Sequence, residues 1–273
     1  MLDFTSPSKL AALSKYDRIV IYLFRMLSEG YSAESLPEEM SFTQQDVREA
    51  MAKAVRDRVI DRAVANVPDI KYTYDARRNF PEEVEQAGPM TWLQSGKGTY
   101  VLRRTRRRNI IRLPEDLSEL PELEFHVDNT PPFIASLLGR DEQAVFTRVR
   151  NAGLINEVLG VGSAHPIQGH HRTTVSYGQI EVDEVQAAMT RGGELIIAPI
   201  SGKGGQDKLS WSQALNLNTY ALEKVPAAGH VKSIGLWRDP EDTIWIVQFS
   251  PHTKIDEIEI EKVRRFKFKL RAG

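Results

Sequence analysis

The segment 179–203 constrains the fold of this chain more than any other stretch of the sequence. It begins with residues 179–186, in which apolar and acidic side chains alternate, and it ends with a second extended run, residues 194–203. The sequence Thr-Arg-Gly-Gly at 190–193 lies between them and is typical of a turn. These residues therefore predict a β-hairpin.

Folding this hairpin about Arg191 predicts that Asp183 lies near Pro199, with Ser201 and Lys203 just beyond it. Successive strand side chains point to opposite faces, so Ser201 and Lys203 share a face that Asp183 can also share. A carboxylate at such a place can hold a hard cation such as Mg²⁺, which prefers oxygen ligands. A nearby lysine can orient or deprotonate a water and offset charge on a phosphate. The alternative is an ordinary solvated ion pair between neighbouring strands.

The same residues resemble the core of the restriction-endonuclease-like PD-(D/E)XK nuclease superfamily. In that family an Asp on one strand and an acidic-x-Lys on the next strand line the metal site, and a helix follows. Asp183, Ser201-Gly202-Lys203 and a predicted helix at 210–224 stand in these places. The resemblance covers roughly residues 130–250. It implies an αβββαβ core, Mg²⁺ (or Mn²⁺) held by Asp183, and Lys203 as the residue that orients the attacking water.

One position departs from the family pattern, because Ser201 stands where the family has an acid. A neutral hydroxyl is a poor metal ligand, so a second carboxylate is needed to complete the site. Glu157, on the helix that precedes the hairpin, is the first candidate, and Glu181 and Asp207 are the others. The alternative is a catalytically inactive nuclease fold that serves as a DNA-binding or regulatory protein.

The first part of the chain predicts a winged helix-turn-helix. Residues 10–29 have helical spacing, 31–40 suit a short helix, and Ser41 or Thr43 can cap a third helix that precedes the predicted strands. The second helix of such a pair enters the major groove of DNA. The alternative is a plain helical bundle with a solvated face. The expected base contacts are Gln44, Gln45 and Arg48.

Residues 70–74 (IKYTY) predict a strand, and residues 95–102 predict a turn and strand that would form the wing. Five arginines in six residues follow the wing directly and suit phosphate recognition. The alternative is a solvated basic face balanced by acidic residues at 115–124. Together with Arg172, the expected phosphate contacts are Arg103, Arg104, Arg106, Arg107 and Arg108.

These segments predict a winged-helix domain at 1–112, a proline-rich linker at 113–130 and an endonuclease-like domain at 131–273. The Gly-rich stretch 160–171 contains three histidines, but their spacing is not that of a zinc site, so a surface loop is expected there. Residues 255–270 alternate in a way that is typical of an edge strand.

Composition sets the remaining expectations. The chain has 273 residues and a formal net charge of -1, so a nucleic-acid surface must be local. It contains no cysteine, which fits a cytoplasmic location. We find neither a signal-peptide pattern nor an apolar run that spans a bilayer, so no membrane partner is expected. The whole sequence therefore predicts a two-domain α/β (α+β) protein that acts as a Mg²⁺-dependent endonuclease on double-stranded DNA, with a homodimer as the default assembly.

Overall fold

The computed structural model describes residue 10 and residues 12–139 and 141–269, which combine helices with two β-sheets. The class prediction, mixed α and β with a large mixed sheet, is confirmed. The chain divides into two units. The first contains the described residues up to Ile110 and the short stretch Ser176–Gly178, and the second contains Ile111–Val175 and the residues from Gln179 onward. None of the described helices combines the length and the apolar character that crossing a membrane requires.

Among its described residues, the first unit has three main helices and a three-stranded antiparallel sheet in the order β1-β3-β2. Thr43 caps the second helix and forms a reciprocal capping box with Asp46, as the sequence pattern of the third predicted helix indicates. In chain order the elements are α1 (Lys15–Leu27), β1 (Glu39–Thr43), α2 (Gln44–Arg56), α3 (Val67–Ala76), β2 (Met90–Gly96) and β3 (Thr99–Arg104).

The prediction of a strand at residues 70–74 is wrong, since these residues lie in helix α3. Their β-branched and aromatic side chains favour a strand locally. Pro68, however, stands in the first turn of the helix, and the buried residues of α3 include Val67, Ile70 and Tyr74, at helical spacing. Burial of this stripe against the core of the first unit overrides the local preference.

The second unit is built on an eight-stranded sheet whose main order is β4-β11-β10-β9-β7-β6-β5, with β8 pairing to β7. Its helices are α4 (Pro132–Ala135), α5 (Glu142–Asn151), α6 (Leu154–Leu159) and α7 (Trp211–Lys224), with a 3₁₀ turn at Ile255–Glu257. Its strands are β4 (Leu123–Val127), β5 (Ala164–Val175), β6 (Gly178–Met189), β7 (Leu195–Lys203), β8 (His230–Val231), β9 (Ser233–Arg238), β10 (Ile244–Phe249) and β11 (Ile260–Lys269).

The predicted hairpin is present as β6 and β7, which pair antiparallel. Helix α7, capped by the Ser210 hydroxyl, then carries the chain to β9, which pairs parallel to β7. The prediction of a helix at 210–224 is therefore confirmed. Two faces of β7 are covered, because every residue from Ile196 to Lys203 is buried.

Three predictions of local structure need correction. Within the expected linker 113–130, strand β4 pairs in parallel with β11, so this part of the segment belongs to the large sheet. For the same reason β11 is not an edge strand, since it lies between β10 and β4. The expected loop 160–171 is a strand from Ala164 onward, because this segment belongs to β5, which pairs with β6.

Candidate active site at the end of strand β7

Asp183 on β6 is held against the end of β7 by two hydrogen bonds to one of its oxygens. The Ser201 hydroxyl donates to Asp183 Oδ2 at 3.0 Å, and the Gly202 backbone N–H donates to the same oxygen at 2.8 Å. The strand register pairs Glu184 with Ile200, so Asp183 lies beside Ser201 and not beside Pro199 as predicted. The hydroxyl of Ser201, which stands where the nuclease family has an acid, thus orients the Asp183 carboxylate that was predicted to hold the metal.

Lys203 lies between the two carboxylates of the site, Asp183 and Glu142. Its side chain is 6% exposed, and its Nζ lies 4.0 Å from Asp183 Oδ2 and 3.2 Å from Glu142 Oε1. The predicted approach of Asp183 and Lys203 is therefore present in the structure. A buried ammonium is stabilised only where carboxylates surround it, so the three charges form one unit.

The partner carboxylate, Glu142, comes from the first turn of helix α5, which Asp141 caps. The helix sits close to β7 because Gly202 has no side chain: a Cβ there would lie 2.5 Å from Phe146 Cε2, one helical turn after Glu142. On β6, the buried Glu184 pairs with Arg150 of the same helix at 3.5 Å. The first contact holds α5 against the end of β7, and the second joins the last turn of α5 to β6.

The electrostatic environment of Glu142 differs from that of an exposed glutamate. Burial raises the pKa of the Glu142 carboxyl above its ordinary value, and the nearby Lys203 ammonium opposes this effect. The negative charges of Asp183 and Asp207 raise the pKa further. Asp207, one of the expected carboxylates, is therefore close enough to act on the site, and a perturbed carboxyl of this kind is typical of functional sites.

The structure places Glu157, the first choice for the second carboxylate, elsewhere in the second unit. Glu157 lies on α6, where it pairs with Arg264 at 3.1 Å and approaches His126 at 3.9 Å. Those partners belong to β11 and β4, which strands β9 and β10 separate from β7 in the sheet. Gly153, which has a left-handed backbone, separates α6 from α5, and the start of α5 is the part that reaches the site.

A second group of ligand-type side chains adjoins Asp183. The group consists of His170 on β5 and of Glu181 and Asp183 on β6. Each residue offers one ligand atom, and the three atoms all lie within 4.8 Å of one another. Glu181, another expected carboxylate, is thus brought to the site together with a histidine that was assigned to a surface loop. Together these acidic and imidazole groups can hold a metal ion.

The expected base-reading residues lie in the first turns of α2. Gln44 donates from its side chain to the Tyr100 hydroxyl at 3.1 Å, and Gln45 donates to Glu49 at 3.3 Å. Arg48 is exposed. Since α2 is the first helix of the α2–α3 pair, these residues do not lie on the second helix, which the winged-helix hypothesis assigns to the major groove.

The arginine run 103–108 is partly engaged within the first unit. Arg103 pairs with Glu38 at 3.2 Å and with Glu39 at 3.3 Å. Arg108 pairs at 2.8 Å with Glu85, whose side chain is 5% exposed. These two arginines therefore have structural roles that compete with phosphate binding. Phosphate binding by the other members of the run, Arg104, Arg106 and Arg107, stays a prediction.

Arg172, the expected phosphate contact in the second unit, is 71% exposed and donates to Glu181 Oε2 at 2.8 Å. It therefore lies at the border of the ligand group formed by His170, Glu181 and Asp183. A phosphate that binds Arg172 would compete with this ion pair.

Two residues of the site, Glu142 and His170, were missed in the sequence. Glu142 directly follows Asp141, the N-cap of helix α5. An N-cap residue marks where a helix starts in the sequence, but it does not indicate where that start lies in the fold. His170 was assigned to a loop because glycines surround it. The β-prone residues Thr173, Thr174 and Val175 were the available local signal for a strand in this stretch.

Comparison of the chain with protein-family models, with curated proteins and with solved structures finds no match in any of the three.

Proposed function

We propose that this chain is a metal-dependent nuclease that hydrolyses phosphodiester bonds in double-stranded DNA. The observation that carries the proposal is the position of the buried Lys203 ammonium, within 4.0 Å of carboxylates from two other elements, Asp183 on β6 and Glu142 on α5. An ammonium and two carboxylates at one place supply a cation for a phosphate and oxygen ligands for a hard metal ion.

The donor set fits Mg²⁺ or Mn²⁺. Hydrogen bonds from Ser201 and Gly202 engage only Oδ2 of Asp183, and Glu142 is only partly exposed beside it. Asp183 and Glu142 are the residues that would hold the ion, with oxygen as the only donor type. When bound, such an ion polarises a phosphoryl oxygen and lowers the pKa of a bound water.

Each of the chain's own groups then has a defined role. Lys203 donates hydrogen bonds from Nζ to a phosphate oxygen or to the attacking water, and its charge offsets the negative charge that develops on the phosphate. Ser201 and the Gly202 N–H fix the orientation of Asp183. Burial of the lysine between α5 and β7 excludes bulk water and strengthens these interactions.

The topology of the second unit supports the same proposal. A helix followed by the neighbouring strands β5, β6 and β7, then helix α7 and the parallel strand β9, is compatible with the αβββαβ order that the resemblance implies. Asp183 and Lys203 stand on the second and third strands of this order, at the places that the family uses.

The first unit supports DNA as the substrate. Its order α1-β1-α2-α3-β2-β3, with β1 beside β3, is compatible with a winged helix-turn-helix. In that arrangement α3 would enter the major groove. On this helix Tyr72 is exposed, and Lys71 forms an ion pair with Asp75. Arg106, which is exposed and follows the β2–β3 hairpin, would contact phosphate.

A second candidate function is an inactive nuclease fold that binds DNA or regulates a partner, and the hydroxyl of Ser201 at the acidic position favours it. A cleavage assay separates the two. Supercoiled plasmid is incubated with the purified chain and Mg²⁺ or Mn²⁺, with EDTA as the control, alongside Lys203→Met. Metal-dependent nicking or linearisation by the wild type, lost in the variant, supports the nuclease; binding without cleavage by both supports the alternative.

A further inference from the structure

We propose that His170, Glu181 and Asp183 form a transition-metal site on the solvent side of the cluster, separate from the position between Asp183 and Glu142. The proposal does not depend on nuclease activity, because it concerns metal binding by the chain alone. Imidazole and carboxylate ligands together suit Zn²⁺, Co²⁺ or Mn²⁺ better than Mg²⁺, which prefers oxygen throughout.

The distances between the ligand atoms fit one ion. The three atoms all lie within 4.8 Å of one another, and His170 Nδ1 is 3.8 Å from Glu181 Oε1. Ligand atoms that are about 2.0–2.2 Å from the same ion are themselves at most about 4.4 Å apart. The site therefore closes around an ion with small side-chain adjustments. Nδ1 and Oε1 are too far apart for a hydrogen bond, so the two groups do not satisfy each other.

Each carboxylate of the group accepts hydrogen bonds from residues outside the group, and these bonds engage only one of its two oxygens. Arg172 donates to Glu181 Oε2, and Ser201 and Gly202 donate to Asp183 Oδ2. Among the described hydrogen bonds and ion pairs, the only partner of Glu181 Oε1 is His170, at 3.8 Å. None of them involves Asp183 Oδ1. Protein metal sites use outer partners of this kind to fix the ligands.

His170 follows the same pattern. Its Nε2 lies 2.9 Å from the Gln143 side-chain amide, which leaves Nδ1 on the side of the carboxylates. When an ion binds Nδ1, the imidazole proton is on Nε2, which then acts as a hydrogen-bond donor. The acceptor is the amide oxygen of Gln143, once the side-chain amide rotates by 180°. Two of the three ligands are accessible, since the side chains of His170 and Glu181 are 59% and 39% exposed.

A comparable group elsewhere in the second unit contains a carboxylate with both oxygens engaged, and it provides the contrast. Glu124, His126 and Glu157 also lie within 4.8 Å of one another. Arg264, however, donates to both oxygens of Glu124 and to Glu157, so a cation already neutralises that group. It is an ion-pair network, and its histidine provides a matched control.

The test is calorimetric titration of Zn²⁺ alone into the full chain without DNA or Mg²⁺. We expect one Zn²⁺ per chain, and an affinity that falls by at least about 10-fold in His170→Ala and in Glu181→Gln. His126→Ala should bind Zn²⁺ like the wild type. Thermal unfolding of each variant checks that it is folded, and the exposure of His170 favours this.

A second measurement needs no variant. Zn²⁺ should shift the imidazole NMR signals of His170 in the wild type and leave those of His126 in place. The proposal is overturned if the wild type binds no Zn²⁺, if His170→Ala binds it equally well, or if Glu142→Gln loses binding while His170→Ala keeps it. Neither result depends on cleavage, so failure of the nuclease proposal remains distinguishable.

Discussion

Gly202 lies so close to Phe146 that a Cβ on residue 202 would stand 2.5 Å from Cε2 of the ring and 3.0 Å from Cζ. This contact joins strand β7 to helix α5 at the point where Lys203 meets Glu142. The close approach therefore has a functional consequence, because a wider spacing between helix and strand would separate the ammonium from the carboxylate.

Gly202→Ala should lower the free energy of unfolding by about 1–3 kcal/mol, because the added methyl overpacks the contact with Phe146. It should also reduce cleavage by shifting Glu142. Chemical denaturation measures the first effect. Gly162→Ala is the matched control, since a Cβ there meets nothing within 4 Å. In Phe146→Leu, which lacks Cε2 and Cζ, the same glycine substitution should cost less; an equal cost in both backgrounds would contradict the packing explanation.

Glu142→Gln should reduce metal-dependent cleavage by more than about 10-fold, because it removes the second carboxylate from the site. The measurement is the initial rate of plasmid nicking at saturating Mg²⁺. Glu157→Gln is the control, and its rate should equal that of the wild type because Glu157 pairs with Arg264 away from β7. Activity that depends on Glu157 and not on Glu142 would refute the assignment.

The raised pKa of Glu142 predicts a specific pH dependence of stability. Burial makes the folded state bind a proton more readily than the unfolded state, in which the ordinary value of 4.5 applies. The stability that this proton contributes is fully present below 4.5 and is lost as the pH rises through the folded-state pKa. The wild type should therefore lose stability relative to Glu142→Gln as the pH rises from 4.5 through the folded-state pKa of Glu142.

Unfolding free energies of the two proteins across this range test the prediction. A difference that stays constant with pH, or that changes in the opposite direction, would show that the Glu142 carboxyl is not perturbed in the folded state. Parallel titration of Glu157→Gln controls for general effects of removing one glutamate.

Ser201→Ala should reduce cleavage several-fold without abolishing it. The hydroxyl is one of two donors that orient Asp183, and the Gly202 N–H remains. Ser233→Ala is the control, a buried strand serine whose hydroxyl has no hydrogen-bond partner among the described residues.

Ser201→Glu addresses the inactive-fold alternative. We expect it to lower activity, because a buried carboxylate beside Asp183 adds like-charge repulsion and removes the donated hydrogen bond. Cleavage that appears only in Ser201→Glu would mean that the natural site is defective.

Local patterns in the sequence were sufficient for the hairpin and for the pair Asp183 and Lys203. Strand alternation fixes which side chains share a face, whereas the register was predicted incorrectly, since Asp183 lies beside Ser201 and not beside Pro199. The capped helix after Thr43 and the helix after Ser210 were predictable for a similar reason, since their start signals are local.

Glu142, in contrast, reaches the site through tertiary packing. The glycine at 202 and the ring at 146 are 56 positions apart, and nothing in either local sequence indicates that they touch. The position of β4 beside β11 depends likewise on a parallel pairing between distant segments. The helix α3 shows the reverse effect, where burial of Ile70 and Tyr74 overrode a local preference for a strand.

The most direct test of the central claim compares Asp183→Asn with the wild type in two assays on the same double-stranded DNA. The wild type should cleave in Mg²⁺ or Mn²⁺ and stop in EDTA. Asp183→Asn, which keeps the size of the side chain, should cleave more than about 100-fold more slowly and bind the DNA with unchanged affinity. Equal cleavage by the two proteins would contradict the assignment of Asp183, Lys203 and Glu142 as a metal-dependent nuclease site.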